Sequence, residues 1–183
     1  MDQIELMYER KKMTPSDINE HLPTLKKYAE ECETIVEMGV RTIVSTWAFL
    51  SGNPKKLISV DYKNPSEYNS GDLPLVETSS KERGIDFSFI LSDSRTVDIP
   101  ECDLLFIDTL HTYPQIKVEL EVHSKKVKKY IVFHDTETFR TVGEINTEVG
   151  IWPAIEEFLE KNPEWTIHEI FKNNNGLTII KRN

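Results

Sequence analysis

The stretch Leu104-Leu105-Phe106-Ile107-Asp108-Thr109-Leu110-His111, answered further on by Tyr130-Ile131-Val132-Phe133-His134-Asp135-Thr136, decides how the rest of this chain is read. Twice an apolar run stops abruptly at acid and imidazole groups. An unbroken run with β-branched and aromatic members suits a strand buried on both faces, as the strands of a parallel sheet are. Two such strands set Asp108, His111, His134 and Asp135 at their carboxyl ends, the edge where open α/β sheets bind ligands.

Between the two runs, Tyr113 to Val127 carries Ile116, Leu120 and Val127 among charges, the pattern of an amphipathic crossover helix. Upstream, Thr34-Ile35-Val36-Glu37 reads as a first strand with Gly39 at its exit and a helix beginning near Ser45-Thr46. Lys56 to Asp61 reads as a second strand, and Phe87 to Leu91 as a third that leads into Ser92-Asp93-Ser94. Asn64 to Asp72 is a loop by composition, and a helix is expected from Leu73 to Arg83. Thr14-Pro15-Ser16-Asp17 looks like a helix start that continues through Leu22, Leu25, Tyr28 and Ala29.

Downstream, Thr136 to Gly150 has no clear period and the length of a lid or binding loop. Trp152 to Leu159 places Trp152, Ile155, Phe158 and Leu159 on one helical face. Trp165 to Phe171 and Leu177 to Ile180 read as strands joined through Asn173-Asn174-Asn175-Gly176, where Asn-Gly signals a hairpin. The order predicts an α/β fold: a Rossmann-like, doubly wound, mainly parallel seven-stranded sheet with helices on both faces and a C-terminal antiparallel hairpin. A length of 183 residues fits a single domain, with residues 1–33 as an N-terminal helical segment and residues 34–183 as the Rossmann-like core.

A formal charge of -9 argues against a nucleic-acid partner. Lys125, Lys126, Lys128 and Lys129 read as the solvated end of a helix leading into a strand. Cys32 and Cys102 suit buried free thiols in a reducing compartment. Met1 to Lys12 is charged throughout, without the apolar core of a signal peptide, and no apolar run approaches the roughly 20 residues of a membrane span. A cytoplasmic protein without a membrane partner is expected.

Several strand ends carry residues able to do chemistry. An acid such as Asp61, ending the second strand, suits the hydroxyls of a ribose, and Gly39 after the first strand lets backbone approach a ligand. Ser92, Asp93 and Ser94 form a polar cluster suited to an adenine amino group. Asp108 and Asp135, from neighbouring strands, suit a hard divalent cation such as magnesium. His111 has the ordinary pKa of a general base for a hydroxyl. His134 reads equally well as a ring packed under the loop and bonded to backbone. His21, His123 and His168 show no partner pattern and read as surface residues.

At these residues the chain resembles the class I S-adenosylmethionine-dependent methyltransferases. It looks most like the branch of cephalosporin-hydroxylase-like proteins and macrolide-sugar O-methyltransferases. The likeness spans about Thr34 to Arg182 and is most specific in Phe106-Ile107-Asp108-Thr109-Leu110-His111-Thr112-Tyr113 with Phe133-His134-Asp135-Thr136, similar to the family's Asp-x-x-His and His-Asp pattern. The resemblance implies that Glu37, Gly39 and Ser45 lie against the methionine part of the cofactor, that Asp61 holds its ribose, and that Asp93 and Ser94 flank its adenine. It further implies magnesium on Asp108 and Asp135 and a base at His111. The first loop departs from the family in having one glycine, with Ile43 and Val44 beside the helix start. His134 also stands where some metal-using relatives have a glutamate.

The expectation is therefore an S-adenosylmethionine-dependent O-methyltransferase acting on a hydroxyl of a small molecule, foremost a sugar. A non-catalytic module that binds the cofactor or a nucleoside is the alternative, and a metal-dependent hydrolase built on Asp108, His111, His134 and Asp135 is a third.

Overall fold

Seven strands and six helices are laid out along residues 2–183, which the computed structural model describes. The helices are α1 (Gln3–Met13), α2 (Leu22–Ala29), α3 (Ser45–Ser51), α4 (Leu73–Arg83), α5 (Tyr113–His123) and α6 (Trp152–Lys161). The strands are β1 (Thr34–Met38), β2 (Lys56–Asp61), β3 (Asp86–Leu91), β4 (Cys102–Ile107), β5 (Val127–His134), β6 (Trp165–Phe171) and β7 (Leu177–Arg182). They form one sheet in the order β3-β2-β1-β4-β5-β7-β6. Neighbours from β3 to β5 are parallel, while β7 runs antiparallel to both β5 and β6.

Because successive strand side chains point to opposite faces, the central strands split their apolar residues between two cores. Ile35, Leu57, Leu104, Phe106 and Val132 pack with Leu25, Tyr28, Trp47 and Phe49 on the face covered by α1 to α4. Val36, Ile58, Leu105, Ile107 and Phe133 pack with Ile116, Leu120, Ile155 and Phe158 under α5 and α6. Each buried side chain of this size contributes about 1.5–3 kcal/mol, which explains why these runs are continuous rather than alternating. The chain adds strands outward from β1 in one direction and from β4 in the other. The sheet's switch point therefore falls between β1 and β4, at whose carboxyl ends open α/β sheets bind ligands.

The expected seven-stranded, mainly parallel sheet with a closing hairpin is the one observed, and some boundaries move. Thr14 closes α1 rather than opening a helix; Ser16 precedes a single 3-10 turn over Asn19–His21, its hydroxyl accepting the Asn19 amide at 3.0 Å, and α2 starts only at Leu22. The crossover helix stops at His123, and Ser124–Lys126 make one 3-10 turn before β5. Pro65–Tyr68 add a short 3-10 turn inside the Asn64 to Asp72 loop. Helix α1 falls within the N-terminal segment expected to be helical but was not set apart there; it buries Ile4, Met7 and Tyr8, which stand at i, i+3 and i+4. Cys32 and Cys102 are free and buried. Among the described residues, no helix is long and apolar enough to cross a membrane.

Candidate active site

The loop after β1 is shaped by residues that alternate into left-handed backbone: Gly39 (φ 88°), Arg41 (φ 43°) and Ile43 (φ 57°). Gly39 is obligatory, since a Cβ there would lie 1.8 Å from the Asp108 carbonyl oxygen. That close approach joins the β1 and β4 ends, with the Asp108 amide donating to the Met38 carbonyl at 2.8 Å. A β-branched residue with positive φ is rare and strained. Ile43 holds this shape because its side chain is fully buried in the core with Trp47, and Val44 packs against the same core. Both therefore pack beneath the loop.

Glu37 is wholly enclosed. Its carboxylate accepts from the hydroxyls of Ser45 (2.5 Å), Thr46 (2.8 Å) and Ser59 (2.6 Å). Burial pushes its carboxyl up to about 7, against the opposing pull of those hydroxyls. Asp61, at the end of β2, accepts the Val40 and Arg41 amides on Oδ2 at 2.8 and 2.9 Å and the Lys63 amide on Oδ1 at 3.0 Å. It thus clamps the loop after β1 to the end of β2. Tyr62, the next residue, is an aromatic side chain 68% exposed at this same edge.

Beyond β3, Ser92 is half-buried and its amide donates to the Asp61 carbonyl at 2.9 Å. Asp93 is forked by the Arg95 guanidinium, which holds its carboxyl below the usual range. Ser94 turns inward: its hydroxyl donates to Glu119 at 2.6 Å. Glu119 also accepts from Gln115 (2.7 Å) and Thr109 (3.0 Å), so one buried acid on α5 ties the loops after β3 and β4 together. Burial raises its carboxyl above the ordinary value. The signal for it was present, because Gln115 and Glu119 alternate with Ile116 and Leu120 on the inward side of the helix.

Asp108, His111, His134 and Asp135 converge. The His111 ring donates from Nε2 to Asp135 (2.9 Å) and Asp108 (3.2 Å) and from Nδ1 to Glu144 (3.0 Å). His134 donates from Nδ1 to Asp135 (3.1 Å) and, more weakly, Asp108 (3.4 Å), and from Nε2 to the Asn174 carbonyl (3.2 Å). Burial works against charging either imidazole, yet the paired acids outweigh it and raise both to about 10. Burial likewise opposes the charge on Asp108 and Asp135, but the two imidazoles hold both carboxyls below the usual range. Asp135 has a left-handed backbone (φ 60°), and its Oδ1 is buried without a hydrogen-bond partner. One ligand atom each from Asp108, His111 and Asp135 lies within 4.8 Å of the others.

The Thr136 to Gly150 segment is irregular, as expected, and folds over this cluster. Val142 and Val149 pair as a bridge, Glu144 donates its amide to the His111 carbonyl at 3.1 Å, and the Phe139 ring stacks on His111 with centroids 4.7 Å apart. Glu144 and Phe139 were not legible in the sequence because the segment lacks a period. Two histidines read as surface residues are buried instead. His21 donates to the Asn173 and Asn174 carbonyls, and His123 donates to the Ser94 carbonyl at 2.6 Å, each filling a place where backbone oxygens need a donor. His168 is exposed.

No protein-family model matches the sequence, and no curated protein matches it either. Solved structures share its fold. A Burkholderia thailandensis 1,6-didemethyltoxoflavin-N1-methyltransferase with bound S-adenosylhomocysteine superposes with a TM-score of 0.65 at 12% identity, over 92% of this chain and 79% of its own. A Staphylococcus aureus protein assigned as a caffeoyl-CoA O-methyltransferase gives 0.64 at 16% identity, over 100% of this chain and 93% of its own. An O-methyltransferase from Bacillus cereus in complex with S-adenosylhomocysteine gives 0.62 at 12%, over 100% and 92%. The chain has the Rossmann-like methyltransferase fold.

Proposed function

We propose that this protein is an S-adenosylmethionine-dependent O-methyltransferase acting on a hydroxyl of a small molecule, with a sugar as the acceptor class to which the resemblance points. The observation that carries this reading is the meeting, across the switch point of a methyltransferase fold, of Asp61 on one side with Asp108, His111 and Asp135 on the other. The residues present fit an adenosyl group. Asp61 Oδ1 accepts a single amide, Tyr62 offers an exposed ring for a base, and Ser92 and Asp93 are half-open beside it. Glu37 and Ser45 satisfy one another, so they serve the methionine end by shaping the loop around Gly39. The acids also fit a divalent cation: Asp135 Oδ1 is a buried oxygen lacking a donor, and magnesium prefers such ligands.

The cofactor supplies a methyl group made electrophilic by its positive sulfur. The protein's tasks are then to place the acceptor oxygen and to take its proton. Asp108 and Asp135 would hold magnesium, whose charge would loosen their grip on His111. His111, stacked on Phe139 and pinned by Glu144, is the base nearest the acids, and in this arrangement both of its nitrogens hold protons. It takes the acceptor's proton once one of these is released.

Calorimetry with S-adenosylhomocysteine, followed by methyl transfer to a panel of sugars and other hydroxyl compounds, tests the reading. His111→Ala is expected to bind the cofactor product as well as the wild type and to lose about 10²- to 10⁴-fold in turnover. Equal turnover by the two proteins removes the base role. Binding without turnover on any acceptor leaves the non-catalytic module.

A further inference from the structure

The turn Asn173-Asn174-Asn175-Gly176 does more than join β6 to β7. Asn174 (φ 44°), Asn175 (φ 70°) and Gly176 (φ 97°) are all left-handed, a run that asparagine and glycine tolerate best. This shape turns three successive carbonyls inward. The Asn173 carbonyl accepts from His21 Nε2 at 2.9 Å, and the Asn174 carbonyl accepts from His21 Nε2 at 3.1 Å and from His134 Nε2 at 3.2 Å. The Asn175 carbonyl accepts the Glu137 and Thr138 amides at 2.9 and 3.0 Å. Since a carbonyl can only accept, the Nε2 atoms of both histidines must be donors, which fixes how each ring is turned. The second nitrogen of His134 is thereby aimed at Asp135 and Asp108.

The turn is itself held from outside. The Asn174 side chain donates to the Ser16 carbonyl at 2.8 Å and accepts the Glu20 amide at 3.0 Å, while Asn173 donates to the Glu20 carboxylate at 2.6 Å. From the same segment Asp17 reaches Arg41 in the loop after β1 at 2.7 Å. Residues 16–21 therefore reach both sides of the switch point, the Asp61 side through Arg41 and the Asp108 side through the asparagine turn.

We propose that Asn174 is a positioning residue of the active site: its side chain fastens the turn to residues 16–20, and its carbonyl orients His134 so that Asp108 and Asp135 stay convergent on His111. The proposal rests on the methyl-transfer reading of that cluster. Its geometric content is independent of any acceptor.

The test is a ring ¹H–¹⁵N correlation spectrum of the full-length protein with labelled histidine, at one neutral pH, for the wild type, Asn174→Gly, Asn174→Asp and His21→Phe. Asn174→Gly keeps the backbone freedom and removes the fastening. It should move the His134 and His111 ring signals while S-adenosylhomocysteine affinity stays within about twofold, and should lower kcat by about tenfold or more with cofactor KM unchanged, as misplacement of reacting groups does. Asn174→Asp, which keeps the oxygen for the Glu20 amide, should recover part of both effects. His21→Phe keeps the ring that packs edge-on against His134 and removes the shared donor, so it moves the His134 signal even if the glycine variant fails to fold. Unmoved His134 and His111 signals in the folded variants overturn the proposal. Absence of cofactor binding by the wild type overturns the methyltransferase reading instead, and the ring signals still decide the role of Asn174.

Discussion

Glu37 sits in the core with three hydroxyls as its only partners, and burial lifts its carboxyl from an ordinary 4.5 to about 7. The folded chain therefore binds a proton that the unfolded chain releases between those values. Stability from this group is whole below pH 4.5 and declines as pH rises to about 7. In urea melts, Glu37→Gln should flatten that decline, and an unchanged slope between pH 5 and 7 would show that the hydroxyls fully compensate the charge. Gly39→Ala is a harsher change. Its methyl would lie 1.8 Å from the Asp108 oxygen, so the β1 and β4 ends must part. A loss of about 3 kcal/mol or more is expected, since overpacking and unfavourable backbone add. A denaturant midpoint near that of the wild type would mean the loop relaxes freely.

At the scale of elements, α5 shows what a sequence reveals and what it hides. Ile116 and Leu120 announced an amphipathic helix, and the helix is there. The spacing puts Glu119 on the buried side with Gln115, but it could not announce the other two of its three partners, Ser94 and Thr109, which lie in loops brought to it only by the fold. Glu119→Ala strands those donors, and a loss of about 2–3 kcal/mol is expected by denaturation, as for other buried groups left unpaired. Strands β2 and β6 and helix α4 were legible to the residue, since each is bounded by polar or turn-forming neighbours. The bounds of α1 were not, although the segment was read as helical, because the one apolar face of Ile4, Met7 and Tyr8 spans barely a turn and charges surround it. In the candidate site, the convergence of Asp108, His111 and Asp135 was legible from the strand ends. Glu144, Phe139 and the buried places of His21 and His123 depend on loops whose course has no sequence period.

At the scale of the whole molecule, two acids and two imidazoles share one buried space, and their linkage sets a pH window. His111 and His134 rise from 6.5 to about 10, so their contribution is whole below pH 6.5 and is lost as pH climbs towards 10. Asp108 and Asp135 are lowered from 3.8, so theirs is present above pH 3.8 and lost on further acidification. Glu37 loses its contribution between 4.5 and about 7, while His21 and His123, whose rings burial lowers from 6.5, lose theirs as pH falls below that value, so the decline is unopposed from about pH 7 to 10. Thermal or urea melts across that range check it, and a flat profile from pH 6.5 to 10 would show the imidazoles are not held as cations. Magnesium, if bound by the acids, should lessen the alkaline slope.

The asparagine turn has one more consequence, for synthesis. Residues 173–176 are made after every strand but β7, yet they anchor His134 and fasten the segment around Ser16. Until the turn has been made and has folded back, Asp61 and its loop can form while His134 lacks the carbonyl that orients its ring and residues 16–20 lack the side chain that fastens them.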